Sequence, residues 1–357
     1  MDIQSRIDLV KQVGEEIITE DELRELLETK KNLIAYDGFE PSGNLHVAQS
    51  IMRTININKM INAGCTFKML VADWHAYANN KYGGDLHKIQ TAGKYMIEVW
   101  KACGMNMDKV QFVWANDAIV DRDYWNTVMN VATHSTVKRI IRCCQIMGRR
   151  ENDALQASHI FYPCMQAADI FHLKVDIAQL GMDQRKVNVL AREVGPKIGT
   201  WKPVAVHHHM LQGLGQPPQH ITDPVERTMA LKMSKSKPET AIFTTDSEEE
   251  IAQKIQKAYC PQKIVYENPI LEYYKYILCE KFADIVIERP IKFGGDVSFG
   301  SYRELEDAYA RGDIHPLDLK KTVVPYMNEL LHPIRNHFAT GPAKKLFDDV
   351  QSFTVTR

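Results

Sequence analysis

Apolar positions along this chain fall into short continuous runs separated by longer stretches of helical spacing. Residues 32–36, with Leu33-Ile34-Ala35-Tyr36 at their heart, form the first run. A bounded run this short predicts a buried strand. Runs at 65–73, 110–114, 175–180 and 204–210 predict four more. Between them, residues 45–63, 85–103 and 183–194 place apolar residues three and four apart and predict helices, the first two ending at Gly64 and Gly104. Strand and helix in alternation predict a parallel sheet with right-handed crossovers. Residues 115–160 keep the helical spacing without any strand signal and read as an insertion. Residues 4–30 read as two short helices, with Thr19-x-x-Glu22 as the capping box of the second.

Past the last strand the pattern changes. Gly213, Gly215, Pro217, Pro218 and Pro224 predict a loop over 213–230. Beyond residue 247 the spacing is helical, opened by Ser247-x-x-Glu250, with helices expected at 247–258, 268–282, 301–310, 316–338 and 342–350. The expected organisation is thus N-terminal helices (1–31), an α/β domain (32–246) holding the insertion at 115–160 and a mobile loop at 213–240, and a smaller, mainly α-helical domain (247–357).

Composition narrows the function classes. Lys+Arg number 44 against 45 Asp+Glu, which excludes a wholesale polybasic nucleic-acid binder but not a local basic patch. Seven scattered cysteines without a Cys-x-x-Cys pair predict reduced thiols in a cytosol-like compartment. Residues 1–8 mix charges and show no apolar signal region, and no run is long enough to cross a bilayer.

Two stretches carry chemistry. After the first strand, Gly38, Pro41, Ser42 and Gly43 make a tight turn into a helix. Backbone N–H groups and a positive helix end at the carboxyl edge of a parallel sheet favour phosphate. His46 lies at the mouth of that helix, where its imidazole can donate to a phosphate oxygen. After the last strand, Lys232-Met233-Ser234-Lys235-Ser236 pairs two lysines with small hydroxyls and suits a clamp on a triphosphate. On the helix that starts near Tyr162, Tyr162, Gln166 and Asp169 are spaced i, i+4, i+7 and share one face. His207-His208-His209 invites a metal reading, but neighbours on a strand face opposite ways and no Cys/Asp cluster accompanies them, so no metal is expected.

These stretches together resemble a family. His46-Val47-Ala48-Gln49 and Lys232-Met233-Ser234-Lys235-Ser236 resemble the two signature motifs of class I aminoacyl-tRNA synthetases. Residues 36–46, Ala72-Asp73-Trp74-His75-Ala76-Tyr77, Tyr162-Pro163-Cys164-Met165-Gln166-Ala167-Ala168-Asp169 and Gly181-Met182-Asp183-Gln184-Arg185-Lys186 resemble tyrosyl-tRNA synthetases of archaea and the eukaryotic cytosol. So do Lys292-Phe293-Gly294-Gly295-Asp296 and His315-Pro316-Leu317-Asp318-Leu319-Lys320. Ala48 and Gln49 depart from the common glycine and second histidine: a methyl must be accommodated beside the adenine, and Gln49 donates a hydrogen bond without carrying charge.

The resemblance implies a Rossmann-type doubly wound parallel sheet with an anticodon-binding helical domain. It implies activation of L-tyrosine by ATP, with Mg²⁺ carried by the nucleotide, then transfer of tyrosine to tRNA(Tyr) in cytoplasmic translation. It also implies a homodimer with residues 115–160 as interface. By the same resemblance His46, Lys232 and Lys235 are the catalytic groups at the phosphates, with Gly38, Gln49, Asp183, Met233 and Ser234 completing the ATP site. Tyr36 and Asp169 read the substrate hydroxyl. Tyr162, Gln166 and Gln184 receive the α-amino group, and Ala72 and His75 line the wall. Arg185 and Lys186 face the acceptor stem; Phe293 and Asp318 read the first anticodon base. Lys138, Arg139 and Arg142 with Arg149 and Arg150 form a local basic run that is either an RNA contact or a solvated helix face. Three alternatives stay open: a tryptophanyl-tRNA synthetase, a small-molecule adenylyltransferase, and a non-catalytic RNA-binding paralogue.

Overall fold

All five predicted strands are present in the computed structural model, which describes residues 1–148, 154–222 and 224–354. In chain order the α/β part runs α1 Ile3–Val13, β1 Glu16–Ile18, α2 Glu20–Thr29, β2 Leu33–Phe39, α3 Arg53–Asn62, β3 Cys65–Val71, α4 Asp73–Ala78, α5 Leu86–Ala102 and β4 Val110–Trp114. It continues with α6 Ala115–Ala118, α7 Arg122–Thr133, α8 Val137–Cys143, α9 Ala157–His172, β5 Ile177–Gly181, α10 Arg185–Val194 and β6 Val204–His208. The sheet order is β1-β6-β5-β2-β3-β4, and every pair except β1–β6 is parallel. β2 and β5 are neighbours although helices and two strands separate them in sequence, so the order reverses there; ligands bind at such a switch point. β5 and β6 are buried along their whole length, as expected of strands covered on both faces.

Two features of this part differ from expectation. Residues 4–30 contain a strand as well as two helices: Glu16–Ile18 lies antiparallel on the edge of β6, pairing Glu16 with His207. Three residues are too few for periodicity to declare themselves. The helix expected from residue 45 instead begins with a π turn, Ala48–Met52, before α3. Met52 N–H donates to Val47 O across five residues, and the Ser50 hydroxyl donates to His46 O, which draws the first turn wide. The capping box Thr19–Glu22 is formed as predicted.

Compactness divides the chain into two units at places other than the expected domain cuts. One holds Met1–Gly43, Asn56–His209 and the residues from Lys345 on; the other holds Asn44–Ile55 and Met210–Lys344. In the first, Phe347 lies beside Tyr95 and Phe353 stands edge-on to Tyr82.

The second unit is mainly helical: α11 Pro224–Leu231, α12 Glu248–Lys257, α13 Pro269–Tyr273 continuing through a π turn to α14 Cys279–Lys281, then β7 Ile285–Ile287 and β8 Val297–Phe299 as a hairpin. α15 Tyr302–Arg311 and α16 Pro316–His337 follow; the last helix, α17 Gly341–Ser352, lies from Lys345 on in the first unit. Leu319, Val323, Met327 and Leu331 recur at helical spacing along α16 and are buried. Ser247 and Glu250 form the predicted capping box. α11 lies where a loop was expected: Pro224 sits at its first position, where a missing N–H costs nothing.

Candidate active site

One constellation gathers on β2, α4, α7 and α9. Tyr36 lies mid-strand in β2, fully buried, in register with Lys68 of β3 and Ala178 of β5. Its hydroxyl reaches the strand end: a Cβ on Gly38 would stand 3.0 Å from it. Burial, reinforced by the charges of Asp169 and Asp37, holds the phenol pKa well above its usual value, so this hydroxyl keeps its proton. Asp169, 1% exposed, accepts a 3.0 Å hydrogen bond from the Tyr124 hydroxyl. His75 Nε2 approaches its other oxygen at 2.9 Å, close enough for an ion pair but off-line for a hydrogen bond. Burial pushes the His75 pKa down; the Asp169 carboxylate outweighs it, and the net shift is upward.

α9 places Tyr162, Gln166 and Asp169 along one face as their spacing predicts, and all three are buried. Pro163 inside this helix cannot bond the His159 carbonyl; the Cys144 thiol donates to that oxygen instead, at 3.3 Å. Tyr162 stands edge-on to His75, ring centroids 5.1 Å apart. Burial, reinforced by the Glu40 carboxylate, holds the Tyr162 pKa well above its usual value. Glu40 accepts from Asn79 Nδ2 at 3.0 and 3.1 Å and lies 3.7 Å from Lys81 Nζ. Gln166 Nε2 donates to Gln184 Oε1 at 3.1 Å, and Gln184 Nε2 donates to Ile146 O at 3.2 Å. Ala72 is buried one residue before α4, which carries His75. Asp183 sits in the 3₁₀ turn Met182–Gln184 at the carboxyl end of β5.

Two residues of this constellation escaped the sequence reading. Tyr124 lies on the insertion, 45 residues from the carboxylate it bonds, and no local pattern could pair them. Glu40 stood within the glycine-rich turn, but nothing in the spacing assigned it a partner.

The second constellation belongs to the other unit. Residues 45–47 run along 242–244: Val47 N–H donates to Ile242 O at 2.9 Å and Thr244 N–H to Leu45 O at 3.0 Å. This pins His46 opposite Phe243 and buries it. Burial drives the His46 pKa well below its usual value, and Lys235 and Lys232 push it the same way, so the ring is neutral at pH 7. Its Nδ1 is buried without a hydrogen-bond partner among the described residues. Ala48 and Gln49 stand half-buried in the π turn. In the lysine loop Met233 is buried as an anchor, while Ser234 Oγ pairs with Ser236 Oγ at 2.9 Å and accepts from Ser236 N–H. The structure therefore groups His46 with Lys232 and Lys235, and groups Tyr36, His75, Tyr162, Gln166, Asp169 and Gln184.

Gly38 N–H donates to its neighbour Asp37 at 2.7 Å. Arg185 opens α10 and its Nε donates to both oxygens of Glu16, at 3.0 and 2.8 Å; Lys186 bonds Gln145 Oε1. Phe293 is 61% exposed on the turn between β7 and β8, with Lys292 Nζ 5.0 Å above its ring. Arg289 ties this hairpin down by donating to Gly295 O and Asp313 O. Asp318 stands in the first turn of α16, whose N-cap is His315. In the basic run, Arg139 is paired with Glu193 at 3.0 Å; Arg149 and Arg150 lie outside the described residues. The histidine run resolves into separate partners: His207 with Glu16 and Asn188, His208 with Gln179, His209 with Glu15.

The chain matches the family model for class I tRNA synthetases (W and Y) over residues 28–332. It is 48% identical over 360 residues to cytoplasmic tyrosine–tRNA ligase 1 of Arabidopsis thaliana, covering all of this chain and 90% of that one. It is 44% identical over 362 residues to the tyrosine–tRNA ligase of Saccharolobus islandicus, covering 100% of both chains. Among solved structures it is similar to the Pyrococcus horikoshii tyrosyl-tRNA synthetase complexed with L-tyrosine, at a TM-score of 0.91 and 40% identity over 99% of this chain and 100% of that one.

Proposed function

The chain belongs to the class I tRNA synthetases of the tryptophan and tyrosine family, and we infer from this and from its buried constellation that it is a tyrosine–tRNA ligase. It joins tyrosine to ATP as tyrosyl-adenylate and passes the tyrosyl group to tRNA(Tyr). The observation that carries tyrosine is Asp169: a fully buried carboxylate held by Tyr124 and His75, with the protonated Tyr36 hydroxyl close enough to feel its charge. A carboxylate accepts from the substrate phenol and a tyrosine hydroxyl donates to it, so both directions of hydrogen bonding are served. Phenylalanine would offer neither group a hydrogen bond. An indole offers one donor and no acceptor, which disfavours tryptophan.

In the proposed mechanism no side chain acts as nucleophile. An oxygen of the tyrosine carboxylate attacks the α-phosphorus; that O–P bond forms as the bond to the β-phosphate oxygen breaks and pyrophosphate leaves. Tyr162, Gln166 and Gln184 hold the α-ammonium, and the charge of Glu40 beside Tyr162 favours a cation there. Ala72 and His75 close the wall. His46 donates a neutral N–H to phosphate oxygen, while Lys232 and Lys235 offset charge on the departing pyrophosphate. Gly38, Gln49, Asp183, Met233 and Ser234 complete the nucleotide contacts. Mg²⁺ would accompany ATP, carried by its phosphates. The ribose hydroxyl at the tRNA terminus then attacks the tyrosyl carbonyl and AMP leaves.

Arg185 and Lys186 are proposed for the acceptor stem, and the helical region beyond residue 247 for the anticodon, with Phe293 stacking on a base and Asp318 accepting from its edge. The homodimer proposal is supported by apolar side chains left exposed on and around α7 and α8: Val120 at 80%, Val137 at 67% and Met129 at 53%. Work in the cytoplasm accords with seven cysteines that form no disulfide. ATP–pyrophosphate exchange with each of the twenty amino acids tests the whole reading: exchange with tryptophan and not tyrosine would overturn it.

A further inference from the structure

Residues 214–231 have no part in the chemistry above. The chain departs at Leu211–Gly213 and returns at Leu231–Met233, and the two ends are tied. Gly213 N–H donates to Leu231 O at 2.9 Å, Met233 N–H donates to Leu211 O at 2.8 Å, and Gln212 faces Lys232 across an antiparallel bridge. The excursion is therefore closed at its base, directly at the lysine loop.

Its outer part is gripped by one side chain. Arg227, in the middle of α11, donates from Nη1 to Pro218 O at 2.8 Å and to Ile221 O at 3.0 Å. Its Nε and Nη2 both reach the carboxylate of Glu267, between α12 and α13. The Glu267 side chain is 9% exposed. A forked, part-buried pair of this kind fixes direction as well as distance. α11 transmits the grip: Lys232 N–H donates to Thr228 O at 3.0 Å, an i to i−4 bond that makes Lys232 the continuation of the helix.

We propose that Arg227, through its fork to Glu267, is a positioning residue for adenylate formation: it fixes α11 and thereby the direction from which Lys232 and Lys235 meet the triphosphate. Arg227 precedes Lys232 by five residues, about 7.5 Å of helix rise, so a tilt of about 8° displaces Lys232 by about 1 Å. Misplacement on that scale costs up to about a hundredfold in rate. The proposal rests on the reading of Lys232 and Lys235 as phosphate ligands.

The test is ATP–pyrophosphate exchange at varied ATP, beside direct measurement of tyrosine binding, for Arg227→Met, Arg227→Lys and Glu267→Gln. Arg227→Met is expected to lose about ten- to a hundredfold in kcat/KM for ATP while the tyrosine Kd stays within about twofold. Glu267→Gln loses part of that factor, and the double variant is no worse than Arg227→Met alone, because both cut the same fork. Arg227→Lys restores part of the loss by returning the charge without the fork. A folded Arg227→Met with kcat/KM for ATP within about twofold of the parent overturns the proposal, since a merely structural role moves stability alone. If Arg227→Met does not fold, Glu267→Gln, which keeps shape and leaves the two carbonyl bonds, decides on the same criterion. Lys235→Ala separates the two layers. If it leaves ATP kinetics unchanged, the phosphate reading falls and this proposal with it. If it abolishes exchange while the Arg227 and Glu267 variants do not change it, this proposal alone falls.

Discussion

Tyr124→Phe removes one oxygen atom and tests what Asp169 needs in order to read a phenol. The hydroxyl donates to Asp169 at 3.0 Å in a fully buried setting. The ring's other neighbours, Trp125 at 5.7 Å and His172 at 5.4 Å between centroids, are untouched by the change. The loss is therefore that of one hydrogen bond to a charged group, about 1.5–3 kcal/mol. Among the described residues no other hydrogen bond holds that carboxylate oxygen, so the carboxylate is expected to turn and the proposed bond to the substrate hydroxyl to weaken with it. If the whole loss falls on the transition state, kcat/KM for tyrosine drops about ten- to a hundredfold at 1.36 kcal/mol per decade.

The assay is ATP–pyrophosphate exchange with tyrosine and with phenylalanine in parallel. Phenylalanine makes no bond to Asp169, so its slow exchange should be nearly unchanged and the preference for tyrosine should shrink by the same factor that tyrosine loses. Two results would refute the reasoning. One is tyrosine exchange within about twofold of the parent, which would mean that Asp169 holds its aim without Tyr124. The other is an equal fall for both amino acids, which would mean that the hydroxyl supports the pocket generally and not its reading of the phenol.

The His75–Asp169 pair gives a pH signature. Because the folded His75 pKa is raised above its unfolded value of about 6.5, the pair's stabilisation is fully present below about pH 6.5 and is lost as pH rises through the folded pKa. Thermal unfolding across that range should show a decline in the parent that His75→Asn lacks; parallel curves would contradict it. Glu22 works in the opposite sense. Its burial is outweighed by Lys202 and Arg192, which pull its pKa to about 2, so that stabilisation exists above the ordinary carboxylate value and fades as pH falls toward 2. Glu22→Gln should therefore lower the melting temperature at neutral pH and lose that deficit in acid. Gly38→Ala would set a methyl 3.0 Å from the Tyr36 hydroxyl, and the buried ring has little room to yield. KM for tyrosine should rise by about tenfold, and by more than KM for ATP; an unaffected KM for tyrosine would show that the hydroxyl plays no part in binding. Phe293→Ala should raise KM for tRNA in charging by about tenfold and leave pyrophosphate exchange alone, on a stacking loss of ~1–3 kcal/mol.

Features confined to one element were legible in the sequence, and those made by distant segments were not. Tyr162, Gln166 and Asp169 share a helix, so spacing alone put them on one face, and the structure buries all three. The five parallel strands were legible as short, mostly apolar runs set between stretches of helical spacing. β1, β7 and β8 have three residues each, too short for alternation to register. α11 was hidden because Pro218 and Pro224 were read as breakers, whereas Pro224 begins the helix. Tyr124 and Asp169, Glu40 and Tyr162, Arg227 and Glu267 are pairs across 40 or more residues, and no local pattern reveals such partners.

The glycine-rich stretch itself looks different once its burial is known. Read as sequence, His46 could donate to phosphate in either protonation state. Buried, and acted on by two lysine charges, it is held neutral, and its Nδ1 lacks a partner among the described residues. A third cation beside Lys232 and Lys235 would repel them and cost more to bury than a neutral ring. Charge and direction are thereby divided: on the proposed roles the lysines neutralise a triphosphate at any approach, while a neutral imidazole donates one N–H along one line. On the same proposed roles Gln49 fits beside His46: an amide supplies a second neutral donor without adding a charge that the two lysines would oppose.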